Sequence, residues 1–346
     1  MRRGRLPLLA LLVVSALASA SCSSVTSDLH ERAIGGYRVV YRIEDRANPS
    51  RPDVTSEVVE VRRPYGGRVE VRDHSGRVTS REHLWVLGKG GELSFGVLRP
   101  PGPPARDASL AALRDASRAG QAQATGSGTV AGRKCAWFAY RKPAPDELAL
   151  PTSNDRIESC VDAVGIVLQE VWTIGRRTVR IVEATSIDDG APPASRFLED
   201  KDPATERVAQ PEAGRLVETS TLVADVDRDR ERTPLRVTPP EGWKSDRASV
   251  VAVTAGGEGR PTQFLSESFL RGTKLSIVEI GSSAQLAPPW GTDAGERIRL
   301  ESGEGRILYF IDRVEIRLLS AIGFARVIAP SRQIALDFVN GLTPAR

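Results

Sequence analysis

Apolar and polar residues alternate with a period of two through much of this chain. Tyr37, Val39, Tyr41 and Ile43 alternate with Arg38, Arg42 and Glu44. That period places one set of side chains on each face of a strand, and a helix, with its period of 3.6, cannot bury either set. Val59 and Val61 repeat the pattern beside Glu60 and Arg62, as do Val69 and Val71 beside Glu70 and Arg72. Turn chemistry separates these runs, at Pro64-Tyr-Gly-Gly67 and Asp73-His-Ser-Gly76. His83 to Leu87 and Leu93 to Leu98 continue the series. Regular short strands divided by turns predict an antiparallel sheet.

One helix interrupts the strands. Asp107 is positioned to cap it, Leu110, Leu113 and Ala116 share a helical face, and Gly120 can end it. Residues 120–128 are small and polar and are expected as a loop. Strands then follow at Arg133–Arg141, Ile157–Asp162, Ile166–Ile174 and Thr178–Ile187, with tight connections at Ala163-Val-Gly165 and Gly175-Arg-Arg177. In the third of these, Ile166, Leu168, Trp172 and Ile174 fall on one face and Glu170 is the exception.

From Asp188 to about Arg232 the composition changes. Asp188-Asp-Gly-Ala-Pro-Pro193 and Asp202-Pro203 are loop chemistry and charges become dense, although Leu216–Val226 can form a strand. A domain boundary is expected here. Beyond Pro234 strand-like runs return at Ser249–Thr254, Gln263–Phe269, Leu275–Ile280, Ile307–Ile311, Val314–Leu319 and Ala325–Ile328. Pro330-Ser331 opens a terminal helix, with Ser331 as cap and Ile334, Leu336, Phe338 and Val339 on its apolar side.

The first residues set the compartment. Arg2, Arg3 and Arg5 precede Leu6–Ala20, a run without charge. A basic lead, a short apolar stretch and small residues at its end make a secretory signal, and the run is shorter than the roughly 20 apolar residues of a membrane span. Two cleavage patterns compete. Ala18-Ser19-Ala20 fits ordinary small-x-small cleavage before Ser21. Ser19-Ala20-Ser21-Cys22 resembles the lipobox of bacterial lipoproteins, with Ser19 where that motif prefers Leu. In the second case Cys22 takes lipid and the polar segment after it is a tether. The chain has three cysteines, Cys22, Cys135 and Cys160. An odd count in an exported chain leaves one thiol over; if Cys22 is lipidated, Cys135 and Cys160 are left to form one disulfide in an oxidising compartment.

The formal net charge of +4 is mostly leader: without Arg2, Arg3 and Arg5 the chain has 45 Lys and Arg against 44 Asp and Glu. Basic and acidic residues are interspersed, as from Asp225 to Arg232, so no stripe for nucleic acid forms. Catalytic motifs fail one by one. The three histidines, His30, His74 and His83, have no metal-ligand spacing, and no Cys-x-x-Cys occurs. Gly126-Ser-Gly-Thr-Val-Ala-Gly132 has one residue too many for a dinucleotide loop and leads into a strand rather than a helix. Asp225, Asp227 and Asp229 begin like a calcium loop, but Arg230 replaces the turn glycine and Arg236 the closing Glu. No catalytic residue, metal or cofactor is expected.

What remains is a pattern of strands. Gly132-Arg-Lys-Cys135, then Ser159-Cys-Val-Asp162-Ala-Val-Gly165 running on to Glu170-Val-Trp172, then Arg180-Ile-Val-Glu-Ala184, resembles the sheet of the LolA-like and RseB-like (MucB/RseB) envelope proteins. Gly36-Tyr-Arg-Val-Val-Tyr41 is similar to their first strand. Leu235 through Pro240-Glu-Gly-Trp243 to Phe338-Val-Asn-Gly-Leu342 is similar to the RseB-type second domain. The resemblance implies an α+β fold: an open antiparallel β half-barrel wrapped on a helix, followed by a smaller α+β domain. It divides the chain into a signal peptide at 1–21, a tether at 22–34, the half-barrel at 35–187, a linker at 188–232 and the second domain at 233–346.

The resemblance also implies that such proteins carry or sense lipids and lipoproteins, or hold a membrane-bound regulator in check. A curved sheet with an apolar concave face must cover it with a helix, a ligand or a partner. The expected role is therefore a non-enzymatic, membrane-anchored lipoprotein binding an apolar ligand against Tyr37, Tyr41, Phe138 and Trp172. The alternative is a regulator that binds the extracytoplasmic segment of a membrane protein such as an anti-sigma factor. If the helix covers the face completely, those four rings are ordinary core. The expected location is the outer face of the cell membrane, with a secreted or periplasmic form as the alternative.

Overall fold

The computed structural model of the chain describes residues 29–46, 53–63, 67–87, 93–94, 107–140, 155–197, 215–220, 230–255, 262–282, 295–300 and 303–345. The leader, Cys22 and much of the expected tether and linker lie outside the described residues. Within them the chain forms two open antiparallel sheets, a two-stranded ribbon and two helices.

The first sheet has ten strands: β1 (Gly36–Asp45), β2 (Asp53–Arg62), β3 (Gly67–Arg72), β4 (Val78–Leu87), β5 (Leu93–Ser94), β6 (Ala122–Val130), β7 (Arg133–Tyr140), β8 (Asp155–Asp162), β9 (Val167–Ile174) and β10 (Arg177–Asp188). Their order is β5-β4-β3-β2-β1-β10-β9-β8-β7-β6. The chain thus walks outward from β1 to one edge, reappears at the opposite edge with β6, and walks back until β10 lies beside β1. Tyr41 pairs with Ala184 there, next to a bulge at Val40/Tyr41. A connection from one edge to the other must pass over a face of the sheet, and helix α1 (Leu110–Arg118) lies on that connection. As the alternation predicts, Tyr37, Val39, Tyr41 and Ile43 are buried.

The second sheet has eight strands: β11 (Arg215–Ser220), β13 (Lys244–Ala255), β14 (Thr262–Arg271), β15 (Lys274–Ser282), β16 (Glu296–Leu300), β17 (Gly303–Tyr309), β18 (Val314–Leu319) and β19 (Gly323–Ala329). Their order is β11-β13-β14-β15-β19-β18-β17-β16. Helix α2 (Arg332–Asn340) packs on one face, where Phe338 and Val339 meet Val278, Ile280, Ile316, Leu318 and Val327. Its N-cap is Ser331, as the sequence predicts. The ribbon pairs β12 (Leu235–Val237) with β20 (Leu342–Pro344), tying the start of this half to its end.

Three local expectations need correction. Residues 122–130 are a strand, not a loop. Ala, Gly, Ser and Thr carry little apolar signal, and the pairing is imposed from outside by a two-residue hairpin turn at Ala131-Gly132, both with positive φ (47° and 77°). The cap of α1 is Ser109, whose Oγ accepts from the Ala112 amide, and not Asp107. Asp107 instead bridges to Ile166 and pairs with Arg63 at 2.5 Å. Finally, Ile174 does not share the burial of Ile166 and Leu168: it is exposed, and Glu170 is buried. The β8–β9 pairing runs unbroken from Gln169 to Ile174, so Glu170 and Ile174 share a face, and Ile174 is the last residue of the strand, beside the turn into β10.

The segment expected as linker contributes packed structure at both ends. Phe197 is fully buried in a 3-10 turn at Ala194–Phe197, Arg62 donates to the Pro192 carbonyl at 3.0 Å, and β11 pairs with β13.

Candidate functional site: the seam between the sheets

Helix α1 belongs to both halves of the molecule. Leu110 and Leu113 pack with Ala136 and Phe138 of β7, Val161 of β8, Val167 of β9, and Ile311 from the turn between β17 and β18. Ala112, one step around the helix, joins the core of the second sheet with Ala335 and Phe338. Polar contacts fix the arrangement. The Ser109 amide donates to the Ile311 carbonyl at 2.9 Å, and Ser109 Oγ donates to the Pro330 carbonyl at 2.7 Å. Asp115 accepts from the Arg332 amide at 2.7 Å, so a carboxylate of α1 satisfies a free N–H in the first turn of α2.

The tyrosines and phenylalanine expected to receive a ligand are enclosed by the protein itself. Tyr37, Tyr41 and Phe138 are fully buried. The Tyr41 hydroxyl donates to the Val167 carbonyl at 2.8 Å, and the Tyr37 hydroxyl reaches Asp107 at 3.4 Å with Arg63 over its ring. Burial, reinforced by the Asp107 charge, pushes the Tyr37 phenol well above its ordinary range. Tyr37 and Tyr41 share one core cluster and Phe138 lies in the one under α1. Trp172 stands apart. It is half-buried, its indole N–H donates to Glu170 at 2.5 Å, and Arg180 lies 5.7 Å from its ring centre.

A polar latch holds the end of the sheet next to α1. Asp162 accepts from the Val164 and Ile166 amides at 3.0 and 2.8 Å and pairs with Arg133 at 2.7 Å. Its carboxyl is nevertheless held above the usual range by burial. Arg63 bridges Asp107 and the Val164 carbonyl. Burial alone would weaken its charge, but the Asp107 carboxylate more than offsets that. Gly165, at φ +85°, closes the turn because a Cβ there would run into the Ala108 carbonyl.

The turn after β17 is the second polar element of the seam. Burial pushes the Asp312 carboxyl up to about 6; Asp107 and Glu315 add to the rise and Arg313 opposes it. Arg313 stacks 4.0 Å over Phe310 and bonds Asp312 and Glu315 at 3.0 Å each. Across the seam, the Tyr140 hydroxyl is buried with no hydrogen-bond partner among the described residues. Burial, then Glu170 and Asp312, hold it protonated well above its ordinary range.

Cys135 and Cys160 form a disulfide, with Cα atoms 5.4 Å apart. They are diagonal neighbours: Cys135 faces Asp162 and Cys160 faces Trp137 across β7 and β8. Among the described residues no group of three His, Cys, Asp or Glu side chains is placed to share a metal ion. Among the same residues no helix is long and apolar enough to cross a membrane. Sequence reasoning missed the seam residues Ser109, Asp115 and Asp312. Ser331 announced α2, but nothing local marks Asp115 as its second cap.

No protein-family model matches the sequence, and no curated protein does. Among solved structures, the chain is similar to MucB in complex with MucA(peri), at 13% identity and a TM-score of 0.28, over 96% of this chain and 99% of that one. It is similar to the Pseudomonas aeruginosa MucA/MucB complex, at 13% identity and TM-score 0.28, over 90% and 94%. It is also similar to a LolA superfamily protein from Nitrosomonas europaea, at 10% identity and TM-score 0.24, over 52% of this chain and 98% of that one. At these TM-scores the likenesses carry no inference about what this chain binds.

Proposed function

We propose that this is a non-enzymatic binding protein of the cell envelope, held at the outer face of the membrane by lipid on Cys22. Its partner in this reading is a polypeptide, the extracytoplasmic segment of a membrane protein such as an anti-sigma factor, rather than a lipid carried inside the first sheet. One observation supports the choice. Three of the four expected ligand-binding rings are already covered, and the helix over Phe138 is bonded at Ser109 and Asp115 to the start of α2. An apolar ligand reaches Phe138 only if α1 leaves, and Tyr37 and Tyr41 only if the core of the first sheet opens; burying rings of this size is worth about 1.5–3 kcal/mol each. Trp172, half-buried with Glu170 and Arg180 around it, is then the ring left for a partner. The disulfide supports an oxidising compartment, and the leader supports export.

The test is a photo-crosslinking amino acid at Trp172, with one at exposed Val78 as control, in cells producing the full chain. A crosslink to one membrane protein from Trp172 and none from Val78 is the expected result. A stoichiometric lipid on the protein by native mass spectrometry, with no crosslink, restores the apolar ligand as the occupant. For the anchor, Cys22→Ala should move the protein from the membrane fraction to the soluble one. An intact mass showing an unmodified chain starting at Ser21 contradicts lipidation.

A further inference from the structure

We propose that β6 is a self-association edge, on which a second copy of this chain pairs antiparallel through its own β6. Strand β6 ends the first sheet, and among the described residues no strand lies on its outer side. Natural edges are usually guarded by charge or proline. Ala122-Gln-Ala-Thr-Gly-Ser-Gly-Thr-Val130 has neither, and Gln123, Thr125, Ser127 and Thr129 are exposed. The opposite case is β16, one edge of the second sheet. It carries Arg297 and Arg299, and antiparallel self-pairing about Ile298 would set arginine against arginine.

The hairpin geometry says which groups are free to pair. With the two-residue turn at Ala131-Gly132, Val130 and Arg133 are the closing hydrogen-bonded pair. Alternation then directs the amides and carbonyls of Gly128 toward β7, and those of Ser127 and Thr129 outward. A two-fold axis at Gly128 places Ser127 opposite Thr129 of the other copy, twice, so each exchanges both of its backbone groups. It also sets Gly128 against Gly128, a non-hydrogen-bonded pair in which Cα atoms approach to about 4.5 Å. Glycine suits that approach, and its own copy needs it as well, because a Cβ at Gly128 would lie 2.9 Å from the Trp137 indole nitrogen. No like charges meet across the axis. The platform is stiff, since β7, which carries β6, is joined to β8 by the Cys135–Cys160 disulfide.

With the axis at Gly128 only residues 126–130 of each copy pair, and they bury less than the roughly 1,200–2,000 Å² of a standard stable interface, so the dimer is weak and forms as concentration rises. Sedimentation velocity of the full mature chain over roughly a hundredfold concentration range reads this directly. The expected result is a reversible monomer–dimer shift that S127K and T129K each weaken at least about tenfold, with unchanged circular dichroism and melting. Hydrogen exchange of the unaltered protein gives a second measure: the Ser127 and Thr129 amides gain protection with concentration, while the Gly128 amide is protected throughout. A chain that stays monomeric at the highest concentration, lysine variants that dimerise like the parent, or Ser127 and Thr129 amides indifferent to concentration, would each overturn the proposal.

Discussion

The two sheets bury their ion pairs to different depths. The first buries aromatic and branched apolar residues, with α1 covering Phe138; its carboxylates Glu60 and Glu70 are buried as well, but the arginines that pair with them, Arg38, Arg68, Arg72 and Arg196, keep between 15% and 48% of their side chains exposed. The second gives α2 one apolar face and places charge on the alternate positions. There Glu279, Glu315, Arg317 and Arg326 are all buried. Arg326 lies directly across from both Arg317 and Glu279. Arg326 bonds Glu279 at 2.7 and 3.0 Å, while Glu315 receives Arg313 at 3.0 Å and Arg317 at 3.1 Å. Burial works against the Glu315 charge, yet the three arginines Arg313, Arg326 and Arg317 hold its carboxyl down at about 2. The lesson is that period two reports which positions share a face, and not whether that face is wet.

The contrast predicts different failures. Glu315→Ala should be the costliest change, at about 3–5 kcal/mol, because it removes the buried carboxylate that Arg313 and Arg317 share. Phe138→Ala should cost a similar 3–5 kcal/mol through cavity formation under α1. Urea unfolding measures both. High salt should leave the Glu315 effect nearly unchanged, since buried pairs are poorly screened. A Glu315→Ala cost below about 1 kcal/mol would mean that the charged face is solvated after all.

Reducing the Cys135–Cys160 bridge should cost roughly 3 kcal/mol, the entropic value for a loop of this size. Thermal unfolding with and without reductant is the check, and non-reducing peptide mapping confirms the pair.

The seam should respond to pH. The Asp312 carboxyl sits at about 6 in the folded chain, against an ordinary 3.8. Its folded-state value is raised, so its contribution is fully present below about pH 4 and is lost as pH rises through 6. At about 1.4 kcal/mol per pH unit of difference, the loss is about 3 kcal/mol as an upper bound. Asp312→Asn should flatten the stability profile between pH 4 and 7. An unchanged slope would place the titration elsewhere. The smallest expected effect is that of Asp115→Ala, about 1 kcal/mol, for the loss of a helix cap.

Much of this architecture was legible in the sequence where local chemistry decides structure. The β1 alternation, the Ser331 cap, the Gly165 turn and the spare cysteine pair are local signals, and each corresponds to what is found. Strand β6 was illegible because its residues are too small to advertise a face, and its partner supplies the order. Val314-Glu-Ile-Arg-Leu-Leu319 reads as a half-solvated strand, and only tertiary packing dries Glu315. The seam was illegible for a further reason. Asp115 and Arg332 are 217 residues apart, and neither neighbourhood names the other.

The shared helix is what makes the two halves one mechanical unit, and calorimetry tests it most directly. With α1 packed in both cores, the full mature chain should unfold in a single transition. The double variant Ser109→Ala, Asp115→Ala should split it into two, of which only the lower responds to reductant. Two independent transitions in the unaltered chain, unmoved by that double variant, would contradict a helix that joins the sheets.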